Sequence, residues 1–470
     1  MLFNSFIFWA FFAIVIAVYW RLNLRGQNVL LLVASYTFYG YWDWRFLSLI
    51  LLSTAIDFVV AQKVDANEDP GRRKRWLLLS ICTNLGLLGF FKYFGFFVNE
   101  FALLLEAAGF SASIPTLNII LPVGISFYTF QTLSYTIDVY RRVTRPTRGL
   151  LDFAVYVSFF PQLVAGPIER SKDLMPQILK PRVLAQGAFA EGLYHVLFGM
   201  FKKVVIADNL APVVDRIFST PTAELANTEI LFGIYAFAIQ IYCDFSGYSS
   251  IAQGIAKWLG INLSWNFKMP YFSRTPSEFW QRWHITLSSW LRDYLYIPLG
   301  GNRSGVYGTF RNLMLTMALG GLWHGANWTF IVWGVIHGSV LIAYHILEAR
   351  GRALTALSGV KRLFSVIIFF HIVCITWIYF RAESLTQANE MVIGLFQNVG
   401  VTDFSAYILG MLAFFALPMM LLEFWIERSR NLLHVLSLPR MVRAAIYAYF
   451  VFMLLVFPPL TPQVFVYFQF

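Results

Sequence analysis

Two histidines lie where a base could work on a hydroxyl. His324 sits in Gly320-Gly321-Leu322-Trp323-His324-Gly325-Ala326-Asn327-Trp328, between two apolar stretches. Imidazole titrates near neutrality, so it can take a proton from an attacking oxygen and pass it on. Glycines on both sides permit close approach of backbone or substrate. If the segment is helical, Asn327 lies one turn away, able to orient the ring or the substrate. Asn327, Trp323 or a backbone N–H can then steady a developing oxyanion. A single histidine in an apolar segment is more often a packed side chain than a base, so the neighbouring motifs matter.

The second histidine, His284, belongs to the polar run Thr275 to Tyr294 (TPSEFWQRWHITLSSWLRDY). Thr275 and Glu278 have capping-box spacing and Pro276 suits the first helical position, which predicts a helix starting there. Along it Trp280, Trp283, Leu287, Leu291 and Tyr294 form an apolar stripe, and Glu278, Arg282, Ser289 and Asp293 lie on another face. Such a helix is too polar to face lipid and belongs in the interface or along a water-filled cavity. Arg282, Arg292 and Arg303 suit the phosphates of an anionic donor, or ion pairs with Glu278 and Asp293. Asp244, inside the apolar run around Tyr242 to Ser249, is an intramembrane carboxylate, suited to a substrate contact, a helix–helix hydrogen bond or an ion pair.

Other chemistries find no support. The sequence has no serine nucleophile elbow, no His-Glu-x-x-His pair and no nucleotide fingerprint. The three cysteines, Cys82, Cys243 and Cys374, are isolated in apolar stretches and have no metal-like spacing. No metal site is expected. The residues alone describe a base-assisted reaction in a membrane cavity.

The elements that must position these groups are set by composition. Of 470 residues, 58% are hydrophobic, 18% aromatic and only 13% charged; soluble domains carry about 25% charged residues. The net charge of +11 comes from basic clusters between apolar runs, at Arg21 and Arg25, Arg72 to Arg75, Arg141 to Arg148, Arg350 and Arg352, Lys361 and Arg362, and Arg428 to Arg443. That is the positive-inside pattern of a polytopic membrane protein rather than a nucleic-acid surface. Met1 to Trp20 is long enough for a first span and lacks the marks of a cleaved leader. Further segments are expected near 28–42, 46–61, 77–98, 99–109, 117–137, 151–166, 188–207, 228–257, 311–321, 327–347, 363–380, 406–426 and 443–458. Lys63 to Arg75, with Asp69-Pro70-Gly71, reads as a loop. The expectation is an all-α polytopic membrane protein with about 10–12 crossings, forming one domain over 1–470 with a motif core near 120–340.

Glu278 to Ser288, Leu291 to Arg303 and Gly320 to Ala326 resemble the signature of the membrane-bound O-acyltransferases. The likeness extends to Leu121–Tyr128, Phe160–Ile168, Phe201–Asp208, Tyr242–Ser249 and the apolar end Tyr467–Phe470, and is strongest to the bacterial branch with the alginate-acetylating membrane subunits. The resemblance implies a ring of membrane helices around a central funnel, with re-entrant helices carrying the histidines. His324 matches the family's invariant histidine and His284 its other motif histidine. It implies acetyl-CoA as donor substrate, with no bound cofactor, and a bacterial inner-membrane location. Acetyl groups would pass outward to a periplasmic SGNH-type acetyltransferase subunit and then to a polysaccharide, alginate first among them. Peptidoglycan, cellulose, a lipid or a protein are alternative acceptors; a solute transporter is the non-enzyme alternative.

Overall fold

The computed structural model describes all residues except 111–118, 165, 352–356, 460–462 and 467–470. Expectations on Arg352, Ala165, the start of the 117–137 segment and Tyr467–Phe470 therefore lie outside the described residues. The described residues are helical, with no strand among them. Six helical segments are long and apolar enough to cross a membrane: Leu24–Ala66, Pro70–Ala107, Asn227–Trp258, Trp328–Ala349, Gly359–Arg381 and Asp403–Ser429. Helix is the required form, because lipid offers backbone groups no hydrogen-bond partners.

The chain packs as two compact units, Met1–Phe189 with Ile255–Ser264, and Ala190–Gly254 with Trp265–Phe470. In the first unit, the expected 20-residue opening span is a 14-residue helix, Phe6–Tyr19, capped by Ser5. The segments expected at 77–98 and 99–109 are one helical run, Pro70–Ala107, interrupted only by a π turn at Gly89–Tyr93. Asn99 and Glu100 lower the hydropathy there without breaking the backbone, since neither removes a hydrogen bond as proline would. The Asp-Pro-Gly expected as a loop opens that helix. Asp69 caps it by accepting from Arg72 N at 2.7 Å, with Pro70 in its first turn.

The second unit holds both histidine motifs. Its central feature is a hairpin of Gly305–His324 and Trp328–Ala349. The two helices approach so closely that a Cβ on Gly321 would overlap the Phe330 carbonyl oxygen, and one on Gly334 the Met317 carbonyl oxygen. Small residues at such crossings let membrane helices pack on their backbones. Gly334→Ala is therefore expected to cost about 1–3 kcal/mol through overpacking. Gly86→Ala, where an added Cβ meets nothing within 4 Å, is neutral or mildly stabilising. Melting temperatures of the two purified variants check the pair.

Candidate active site

The predicted helix over 275–294 is broken just before and at His284. Thr275 does cap its start, its Oγ1 accepting from Glu278 N at 3.2 Å. The reciprocal half of the capping box is missing, because Glu278 Oε2 accepts instead from Arg274 N at 2.9 Å. The first helix stops at Trp280, and a second runs from Ile285 to Leu291. Between them His284 adopts left-handed backbone angles, with φ of 42°. A non-glycine residue held there costs of order 1–3 kcal/mol and persists only where its surroundings enforce it.

Asn266 is the enforcing residue. Its carbonyl accepts from Ile285 N at 3.0 Å, and its Oδ1 accepts from Thr286 Oγ1 at 2.9 Å. The same Oδ1 lies 3.1 Å from His284 Nδ1. An amide oxygen only accepts, so Nδ1 carries the proton and the neutral ring keeps its acceptor lone pair on Nε2. Burial pushes the His284 imidazole pKa down to about 3, so the ring is neutral at physiological pH. No sequence motif singled out Asn266; its part depends on a chain reversal that brings residue 266 against residues 284–286.

His324, 4% exposed, is the last residue of its helix. Its ring centroid lies 6.4 Å from that of His284, and the Trp323 ring borders both. Trp333 and Phe380 meet His324 edge-on at 5.2 and 5.3 Å. The structure thus brings His284, Trp323 and His324 into one aromatic site. On one side His324 borders a 210 Å³ cavity with apolar walls that include Leu291, Gly320 and Trp333.

The other site residues named from the sequence separate from this centre. Asn327 does not follow His324 on a helix, because the chain is extended at Gly325. It caps the next helix instead, accepting from Thr329 N at 3.0 Å and donating to the Glu383 carbonyl at 3.1 Å. Asp244 resolves as an ion pair, 2.6 Å from Lys203 Nζ, and its Oδ2 accepts from Val466 N at 2.6 Å. Lys203 also pairs with Asp208 at 2.7 Å, while Lys202 pairs with Glu423 at 2.6 Å; all five groups are buried. The π turn Phe201–Ala207 sends the two consecutive lysines to different partners. Arg292 pairs with Asp293 at 2.8 Å on the surface and also borders the apolar cavity.

Arg282 marks a different feature. It binds Glu278 at 2.7 Å and Glu427 at 2.9 Å on the wall of a 1260 Å³ basin. Six cationic residues (Lys268, Arg274, Arg282, Arg362, Arg428 and Arg430) line that basin against two carboxylates, Glu278 and Glu427. Burial opposes ionisation of Glu278, but hydrogen bonds from Arg274 and the two arginine charges hold its carboxyl below the usual range. Lys268 and Met269 also line a narrow 40 Å³ slot, which reaches Asn266 past Tyr242, Ser246, Ser249 and Gln253. These last four lie on one face of the Asn227–Trp258 helix, a polar stripe that the motif reading around Asp244 missed. Basin and slot share Lys268 and Met269, and Asn266 on the slot wall is hydrogen-bonded to His284, whereas His324 lines the apolar cavity.

The sequence pattern of the membrane-bound O-acyltransferase family matches residues 142–386, and the chain belongs to that family. It is an acyltransferase of the membrane. It is 43% identical over 400 residues to a probable alginate O-acetylase of Azotobacter vinelandii, covering 84% of this chain and 78% of that protein. The figures for the probable alginate O-acetylase of Pseudomonas aeruginosa are 42% over 400 residues, with 84% and 75% covered. A peptidoglycan O-acetyltransferase of Helicobacter pylori is 36% identical over 434 residues, 86% of this chain and 81% of that one.

Proposed function

We propose that this enzyme carries acetyl groups from cytoplasmic acetyl-CoA to an acceptor hydroxyl, serving O-acetylation of an extracellular polysaccharide, alginate foremost. The observation that carries the reading is the paired histidine site with a basic basin leading to one face. Gly359 and Arg362 follow one basic loop, and Arg428 and Arg430 begin another; all four line the basin. By the positive-inside bias that mouth faces the cytoplasm, where the donor is. The phosphates of the nucleotide meet the arginines of the basin, on the side of the site where Asn266 holds His284. The architecture we adopt is the funnel-centred ring of about 10–12 helices in a bacterial inner membrane.

In the reaction, the acceptor oxygen attacks the thioester carbon while a histidine removes its proton. Collapse of the tetrahedral intermediate forms the ester and breaks the carbon–sulfur bond. The protonated imidazole then returns the proton to the departing thiolate. His324 is assigned the base. His284, fixed by Asn266 in one tautomer, positions the donor. The acetyl group leaves on the opposite side to a periplasmic acetyltransferase subunit of SGNH type. Acetylation of peptidoglycan is the second reading, favoured by the 36% identity to the Helicobacter pylori enzyme.

Charge reversal at the mouth tests the donor path. Arg428→Glu with Arg430→Glu is expected to raise KM for acetyl-CoA about tenfold, a change of ~1.4 kcal/mol. The effect should shrink in high salt, while kcat stays near wild type. Steady-state thioester cleavage in proteoliposomes measures both; an unchanged KM places the donor elsewhere. Acetyl content of alginate and of peptidoglycan in a deletion strain separates the two acceptors.

A further inference from the structure

Two non-glycine residues with left-handed backbone angles lie on chain runs that bond to each other. Met269 has φ of 48° and His284 φ of 42°. Each such residue costs of order 1–3 kcal/mol and persists only where its surroundings hold it. Here the runs 266–269 and 282–286 hold one another. Lys268 N donates to the Arg282 carbonyl at 2.9 Å, and Ile285 N donates to the Asn266 carbonyl at 3.0 Å. Asn266 Oδ1 accepts from Thr286 N at 3.3 Å and from Thr286 Oγ1 at 2.9 Å, and lies 3.1 Å from His284 Nδ1. The Phe267 ring meets Trp283 edge-on at 5.1 Å. Asn266 and Phe267 are buried, whereas the next residue, Lys268, is exposed.

Lys268 and Arg282 both stand on the wall of the cationic basin. The two carboxylates of that basin are already engaged. Glu278 pairs with Arg274 at 3.0 Å and Arg282 at 2.7 Å, and Glu427 with Arg282 at 2.9 Å and Arg362 at 3.8 Å. Among the described residues, Lys268, Arg428 and Arg430 are the basin cations outside these pairs. Of the three, Lys268 alone belongs to the run that clamps His284, two residues beyond Asn266. Its backbone bond to Arg282 keeps the two residues neighbours only while the runs stay paired. An anion that touches both side chains therefore binds the paired arrangement better than an opened one. Such a difference in affinity is what shifts a conformational balance.

We propose that Lys268 is a positioning residue as well as a phosphate ligand. Donor phosphates held by Lys268 and Arg282 stabilise the pairing of 266–269 with 282–286, and so fix the His284 ring for transfer. This rests on the reading that donor phosphates occupy the basin. Ordering of the histidine site is then a consequence of donor binding, and without donor the strained turn opens more often.

Hydrogen–deuterium exchange of the full-length protein in detergent reads the pairing, because the amides of Lys268, Ile285 and Thr286 are among its donors. The probe is adenosine diphosphate, which shares nucleotide phosphates with coenzyme A but has neither its arm nor a thioester. At ten times its Kd, fixed by calorimetry, it should slow exchange in peptides covering 266–269 and 282–286 about tenfold, the limit for a ligand that binds only the paired form. At equal occupancy Lys268→Gln should lose that protection. The same variant should lower kcat as well as raise KM for acetyl-CoA, and Lys268→Arg should restore both. Arg428→Glu with Arg430→Glu should demand more probe for the same protection. Bound probe with unchanged exchange in wild type overturns the coupling and leaves the donor path standing, whereas absence of binding overturns both. Full protection in Lys268→Gln also overturns the coupling.

Discussion

Replacing His324 by alanine is expected to lower acetyl transfer about 10²–10⁴-fold, the usual effect of losing a general base. The loss should fall on kcat. KM for acetyl-CoA should stay near wild type, because the cationic basin is lined by other residues. His324 packs against Trp323, Trp333 and Phe380, so alanine also opens space in an aromatic cluster. His324→Gln fills more of that space without supplying a base, and should be as inactive as alanine while melting closer to wild type. Labelled acetyl transfer in proteoliposomes, with folding checked by melting, reads both variants. Wild-type turnover in a well-folded His324→Ala protein would exclude the residue as base.

The largest stability effect is expected at Lys203. This lysine sits between Asp208 and Asp244, at 2.7 and 2.6 Å, and all three are buried. Lys203→Met would leave two buried carboxylates without their counter-charge. Breaking a buried pair from one side typically costs 3–5 kcal/mol, against a total stability of about 5–15 kcal/mol for a folded domain. The variant is expected to be poorly folded or absent from the membrane. Asp208→Asn and Asp244→Asn added to Lys203→Met should restore much of the folded yield, because no unbalanced charge then remains. Fluorescence-detected size exclusion of the three forms measures this, and a stable Lys203→Met single variant would contradict it. Asp244 also holds Val466 N, so loss of the cluster should loosen that end of the chain as well.

Several features were legible in the residues themselves. Low charge and long apolar runs specify membrane helices, because each backbone polar group must be satisfied within its own segment. Capping signals act locally: Thr275 caps its helix as its spacing predicts, and Asp69-Pro70, whose composition reads as a loop, opens another. Glu278 and Arg282 pair at their helical spacing. The family signature led to the two histidines now found 6.4 Å apart.

Other features depended on contacts that spacing does not encode. Periodicity carried one helix through residues 275–294, yet the chain breaks before His284 because Asn266 captures the backbone of residues 285 and 286. Asn327 looked like a partner of His324 under helical spacing; the extended Gly325 removes that relation and makes it a cap. Asp244 suits a substrate contact, a helix–helix hydrogen bond or an ion pair, and only packing supplies Lys203 as its partner. The composition and local signals of this sequence by themselves determined a helical membrane protein and the residue types of its chemistry, since these depend on hydration and on neighbours one turn away. Tertiary structure alone decided which polar groups face the site and which neutralise one another. That choice rests on partners far along the chain, and in a medium of low dielectric such partners settle the role of every charge.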